Sequence, residues 1–129
     1  MSLPRISKAI IVEGKYDKIK LESIVDALIL PTDGFRIFKD KEMRALIKKL
    51  AEETGLVILT DSDGAGFIIR RHLMGLVPAH QITNVYIPDR IGKESRKSKP
   101  SKEGKLGVEG MEPQILLDAL SRAGLLEHS

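Results

Sequence analysis

Four short apolar runs alternate with amphipathic helical stretches along this chain, and that alternation leaves few folds open to it. Lys8 to Val12, Leu28 to Leu30, Leu56 to Leu59 and Val85 to Ile87 are each strand-length. Turn-forming residues close them: Glu13-Gly14, Pro31, Asp61-Ser62-Asp63-Gly64 and Pro88. Between the runs, Asp17 to Ala27 sets Leu21, Ile24, Val25 and then Leu28 at helical spacing, and Ile68, Ile69, Leu73 and Leu76 mark another helix. The clearest helix spans Lys41 to Glu53, with Met43, Leu46, Ile47, Leu50 and Ala51 on one face and Thr54-Gly55 as its C-cap signal. Glu112-Pro113 opens a last helix carrying Ile115, Leu116, Ala119 and Leu120, proline being suited to the first helical position. Such alternation predicts an α/β fold of three layers, a parallel sheet covered by helices on both faces with right-handed crossovers. Placing the first strand beside the third gives four strands in the order 2-1-3-4. At 129 residues and 42% hydrophobic, the chain suits a single domain.

In an open parallel sheet the ligand crevice lies outside the carboxyl ends of the strands, where strand order reverses. Glu13 follows the first run, and Asp61 and Asp63 follow the third, so the order 2-1-3-4 brings all three acids to that crevice. Residues i and i+2 of extended backbone project to one side, which lets Asp61 and Asp63 address one ion or adjacent ions. An all-oxygen set selects a hard cation, and Mg²⁺ completes its shell with water and substrate phosphates. Gly64 and Gly66 allow close approach of backbone to a ligand, and the helix starting there offers free N–H groups to a phosphate oxygen. Taken singly, an Asp before Gly is a capping or turn residue and Glu13 is a strand-end acid. Their joint placement favours a metal-dependent site for phosphate chemistry.

Competing motifs fail on particular residues. An EF-hand loop beginning at Asp61 would have Ala65 and His72 where ligands belong, no P-loop signature occurs, and Ile69 stands where a dinucleotide-binding glycine pattern needs Gly. His72 falls on the apolar stripe of its helix and is expected in the core or half-buried rather than on zinc. The absence of Cys excludes disulfides, thiolate zinc and a Cys nucleophile. No apolar stretch is long enough to span a bilayer and no signal-peptide layout opens the chain, so a soluble, cytoplasmic protein without a membrane partner is expected.

Net charge is +3, but residues 89–105 alone carry seven basic side chains against Asp89, Glu94 and Glu103, a local +4. A basic loop beside an acidic metal site suits a polyanion, since the carboxylates alone repel phosphate. Nucleic acid, RNA or DNA, is the expected partner, with Lys93, Arg96, Lys97 and Lys99 on its backbone and the loop poorly ordered. Aromatic residues make up 4% of the chain, without Trp, which points to recognition through backbone and shape rather than base stacking.

These residues resemble the Toprim domain, the metal-binding module shared by topoisomerases, primases and related nucleases. Ile11-Val12-Glu13-Gly14 resembles its Glu-bearing motif, Thr32-Asp33-Gly34 its T-x-G turn, and Asp61-Ser62-Asp63-Gly64-Ala65-Gly66 its D-x-D motif. The resemblance covers a single domain over residues 7–123, containing the basic loop 89–105. Residues 1–6 are left as an N-terminal extension, Met1-Ser2-Leu3 reading as a cloning remnant, and 124–129 as a C-terminal tail. Within the superfamily, Glu13-Gly14-Lys15, Thr60-Asp61, Asp63, Gly66, Ile69-Arg70 and the stretch Gly104 to Glu109 resemble proteins related to ribonuclease M-five, the maturase of 5S ribosomal RNA precursors. That resemblance implies Mg²⁺-dependent phosphodiester hydrolysis, Mn²⁺ being the alternative ion. Asp61 and Asp63 would be metal ligands, Glu13 a ligand or general acid/base, and Glu109 an accessory acid. Lys15, Arg70 and Lys105 would contact phosphate. The maturase continues into a C-terminal region that recognises RNA, so the alternative is a metal- and nucleic-acid-binding adaptor working with a partner protein. Tyr16 and Tyr86 are expected as helix-surface and strand residues, not nucleophiles.

Overall fold

A computed structural model of the protein describes residues 3–60, 63–87 and 112–126, with the backbone alone at Asp63. Asp61, the basic loop 89–105 and Glu109 lie outside the described residues, as does the side chain of Asp63. The elements run β1 (Ala9–Val12), α1 (Lys15–Glu22), β2 (Ile29–Pro31), a 3₁₀ turn (Arg36–Phe38) and α2 (Lys41–Glu53). Then follow β3 (Leu56–Thr60), α3 (Asp63–Leu73), a 3₁₀ turn (Ala79–Gln81), β4 (Ile82–Tyr86) and α4 (Pro113–Arg122). All pairings are parallel and the strand order is β2-β1-β3-β4, as the sequence pattern predicts.

Side-chain alternation along the strands builds two cores, one on each face of the sheet. Ile10 and Val12 of β1 and Val57 and Leu59 of β3 cluster with Leu21 of α1 and with Leu116 and Leu120 of α4. On the opposite face Ala9, Ile11, Leu56 and Ile58 cluster with Ile47 and Ala51 of α2 and with Ile69 and Leu73 of α3. Every residue of β1 and β3 is buried, as expected of central parallel strands covered on both faces. In β4 only Val85 is fully buried, while Asn84 and Tyr86 are exposed.

Helix α2 has the predicted bounds because both ends carry local signals. Asp40 accepts the N–H groups of Glu42 (2.9 Å) and Met43 (3.3 Å), and Gly55 closes the helix at φ 89°. Helix α1 departs from the expected Asp17 to Ala27: it begins at Lys15 and ends at Glu22. The Ser23 hydroxyl donates to the Lys20 carbonyl (2.6 Å), and Asp26 is drawn into extended pairing by Pro4 and Ile6 (2.8 and 3.0 Å). Ile24 and Val25 are buried past the end of α1, and Leu28 is exposed at the entry to β2. Arg5 and Ile6, left to the extension by the sequence pattern, pack onto the domain: Ile6 is buried and Arg5 bridges Asp26.

Candidate metal and nucleic-acid site

The site grows from the carboxyl ends of β1 and β3, which lie side by side with Ile11 opposite Ile58. Two residues further along each strand stand Glu13 and Thr60, and Asp61 follows Thr60 in the chain. Glu13 is exposed, and it lines a cavity of about 500 Å³ with Gly14, Lys15, Asp33, Gly34 and Met43. Lys15 occupies the first turn of α1, exposed, with its ammonium 5.3 Å from the Tyr16 ring centroid. Among these groups the expected Glu13 and Lys15 are brought together, and Asp33 joins them.

What holds Glu13 in place is a residue the sequence reading left out of the site. Thr32 is buried (3% exposed), and its hydroxyl donates to the Glu13 carbonyl at 2.7 Å while its N–H donates to the Val12 carbonyl at 2.9 Å. The turn of the T-x-G motif thereby locks the end of β2 to the end of β1. Beyond Thr32 the backbone is left-handed at three consecutive residues, Asp33 (φ 51°), Gly34 (φ 66°) and Phe35 (φ 68°). Only glycine visits that region without cost, so Asp33 and Phe35 carry about 1–2 kcal/mol each. The Phe35 ring is held by stacking on His72 of α3, with centroids 4.5 Å apart, and His72 also stacks on Phe38 at 5.1 Å. His72 is exposed, contrary to the expected core or half-buried position, because the stripe of α3 that meets the sheet is narrow, Gly66, Ile69 and Leu73 alone being buried among its described residues.

The second half of the site surrounds Thr60, also 3% exposed and, with Thr32, one of two buried polar side chains among the described residues. A Cβ added to Gly66 would stand 3.0 Å from the Thr60 hydroxyl, so a glycine there lets the first turns of α3 approach the end of β3. Gly64, Gly66 and Arg70 line another cavity of about 500 Å³ with Thr60. The expected Gly64, Gly66 and Arg70 are thus brought together with Thr60, the residue that precedes the D-x-D segment in the chain. Lys93, Arg96, Lys97, Lys99 and Lys105 lie outside the described residues. A hydroxyl at the end of an otherwise apolar run was the available signal for both threonines.

The donor chemistry fits a hard divalent cation: the chain has no thiolate to offer, and an exposed carboxylate stands where β1 ends beside β3. Among the described residues no group of three metal-binding side chains comes together, the Asp61 and Asp63 side chains not being among them. No helix in the described residues is long and apolar enough to cross a membrane.

The Thr32 anchor has a measurable weight. Thr32→Val keeps the shape but leaves the Glu13 carbonyl without its donor, a loss expected to cost about 1–3 kcal/mol in urea denaturation. Thr32→Ser, which retains the hydroxyl, is expected to lose clearly less; equal losses would show that the methyl packing matters and the hydrogen bond does not.

A sequence model of the Toprim domain matches residues 8–89. The match implies a divalent metal cofactor. The chain is also similar to curated proteins named ribonuclease M5. It is 36% identical to that of Fusobacterium nucleatum over 119 residues, covering 92% of this chain and 59% of the relative. It is 32% identical to that of Lactiplantibacillus plantarum over 119 residues, with the same coverage. With that of Mycoplasma capricolum it shares 37% identity over 98 residues, 74% of this chain and 53% of the relative. The chain therefore spans somewhat over half the length of the relatives it matches.

Proposed function

The chain belongs to the Toprim domain family, and from that premise we propose that it hydrolyses phosphodiester bonds of RNA, with Mg²⁺ held by Asp61 and Asp63 and with Glu13 as a further ligand or as general acid/base. The observation that carries the reading is the parallel pairing of β1 with β3, which sets Glu13 and the residue preceding Asp61 side by side at the carboxyl ends of the two central strands. Similarity to proteins named ribonuclease M5 supports RNA over DNA as the substrate.

The ion, held by these carboxylates, would supply stabilisation of the negative charge that develops during displacement at phosphorus, with Mn²⁺ as the alternative ion. The chain's own groups do the rest. Glu13, exposed at the crevice, takes the proton of the attacking water or serves as a ligand. The first turn of α3, at Gly64 and Gly66, offers backbone N–H groups and the positive end of its dipole to a non-bridging phosphate oxygen. Lys15 and Arg70, one in each cavity, hold the neighbouring phosphates. Lys93, Arg96, Lys97, Lys99 and Lys105 follow the RNA backbone, and Glu109 is the accessory acid. The domain of this reading, residues 7–123, has Leu116 and Leu120 of α4 in one apolar cluster with Val57 and Leu59, and Ile6 and Leu125 join that cluster from just outside those bounds.

The deciding measurement is calorimetric titration of Mg²⁺ and Mn²⁺ into wild type and an Asp61→Asn/Asp63→Asn double variant, with a structured RNA and a DNA duplex incubated in parallel. Expected are metal binding and RNA cleavage by wild type, both lost in the variant, and cleavage stopped by chelator. Metal binding without cleavage would turn the assignment to an adaptor that works with a partner protein. Cleavage that survives chelation would overturn the metal assignment.

A further inference from the structure

Three of the five aromatic side chains in this sequence are exposed, Tyr16, Phe67 and Tyr86, against the expectation that surface aromatics are scarce. Phe67 and Tyr86 line one cavity, and its construction follows from the backbone. On α3 and the turn that follows it, Phe67, Arg70 and Met74 recur at helical spacing and form a stripe outside the buried Ile69 and Leu73. On β4, Asn84 and Tyr86 project to one face while Val85 is buried on the other. Because Thr60 pairs with Tyr86 and Ile58 with Asn84, that face of β4 continues the sheet surface on which α3 lies. The groove between α3 and β4 is therefore lined by Phe67, Arg70, Asn84 and Tyr86, together with Thr60 and Gly64, the residues that flank the D-x-D segment in the chain.

We propose that this groove is a subsite for one unpaired nucleobase next to the phosphate undergoing hydrolysis. The occupant is chosen by the lining chemistry. Two aromatic faces, at 62% and 46% exposure, offer stacking that any base can use. The Asn84 amide can pair with the polar edge of a base, and Arg70 supplies a cation for the phosphate attached to it. The guanidinium of Arg71 lies 5.9 Å from the Phe67 ring centroid, adding positive charge beside the stacking face. A volume of about 500 Å³ accommodates a single nucleotide. A purely apolar partner surface would make no use of Arg70 and Asn84. The consequence for substrate choice is that RNA must be single-stranded, looped or frayed at this position, since a base held in a helix cannot enter.

The subsite rests on the RNA reading above, and the test separates the two. A short single-stranded oligouridine carrying 2-aminopurine at one central position, and a matched RNA with an abasic residue there, are titrated with the full chain. Binding is read by anisotropy of a terminal label, stacking by 2-aminopurine emission, and product formation is followed in the same samples. Expected are quenched emission with wild type, and affinity lowered about tenfold or more by Phe67→Ala and by Tyr86→Ala. Tyr86→Phe should retain binding, and the abasic RNA should bind wild type and both alanine variants alike. Equal binding of the base-bearing RNA by wild type and the alanine variants would overturn the subsite even if cleavage proceeds, and so would failure of wild type to bind the RNA. Quenching that depends on Phe67 and Tyr86 without any cleavage would leave the subsite standing and remove the hydrolase instead.

Discussion

Glu13→Gln is expected to lower metal-dependent RNA cleavage by about 10²–10⁴-fold while leaving the fold intact. The substitution keeps the size and planar end of the side chain and removes only its charge and basicity. The backbone frame does not depend on the carboxylate: what Thr32 grips is the Glu13 carbonyl, at 2.7 Å, and Gln offers the same carbonyl. Glu13 itself is exposed at the end of β1. Stability should be unchanged or raised, because one negative charge is withdrawn from the end of the sheet at which Thr60, the residue preceding Asp61 in the chain, also stands. Single-turnover cleavage together with urea denaturation separates the possibilities. A variant with near wild-type cleavage would remove Glu13 from the chemistry, and one that loses cleavage and stability together would make its role structural.

The largest stability loss should come from the centre of the sheet. Ile11→Ala is expected to cost about 2–5 kcal/mol, the range for deleting a buried aliphatic side chain and leaving a cavity. Ile11 is 0% exposed and lies on one of the two central strands of the sheet, paired with Leu30 on one side and Ile58 on the other. It packs in the cluster that seats α2 and α3, so neither a neighbouring strand nor a helix can close the void cheaply. Native domains hold only about 5–15 kcal/mol in total, which makes this loss a large share of what keeps the fold. Ile19→Ala serves as the comparison: its side chain is 58% exposed on α1, and the expected change is within about 0.5 kcal/mol. Denaturation midpoints that fall equally in both variants would contradict the burial argument.

Where a residue's position depended on neighbours in the chain, the sequence was a sufficient guide. Asp40 and Gly55 bracket α2 by hydrogen bonds and a left-handed turn within a few residues, and its predicted bounds agree with the structure. Where the deciding contact was distant, it was not. The end of α1 is set by Pro4 and Ile6 pairing with Asp26, some twenty residues away in sequence, and helical spacing at Ile24 and Val25 carries no trace of that. His72 shares the period of Ile69 and Leu73, yet it sits outside the buried stripe and stacks on Phe35, a ring more than thirty residues earlier. Thr32 was visible as part of a T-x-G turn, but its grip on the Glu13 carbonyl depends on β2 lying against β1.

The sequence by itself determined the fold class, the four strands and the acids that follow two of them, because apolar periodicity and turn chemistry act over a few residues. Tertiary structure alone decided which side chains share a cavity. Phe67 and Tyr86 are nineteen positions apart and their low number in the composition argued against any stacking surface. They line one groove because β3 pairs with β4 in a particular register while α3 lies across the adjoining face. Such proximity is set by long-range strand pairing and by the burial of two helix layers, quantities that no local pattern of residues encodes.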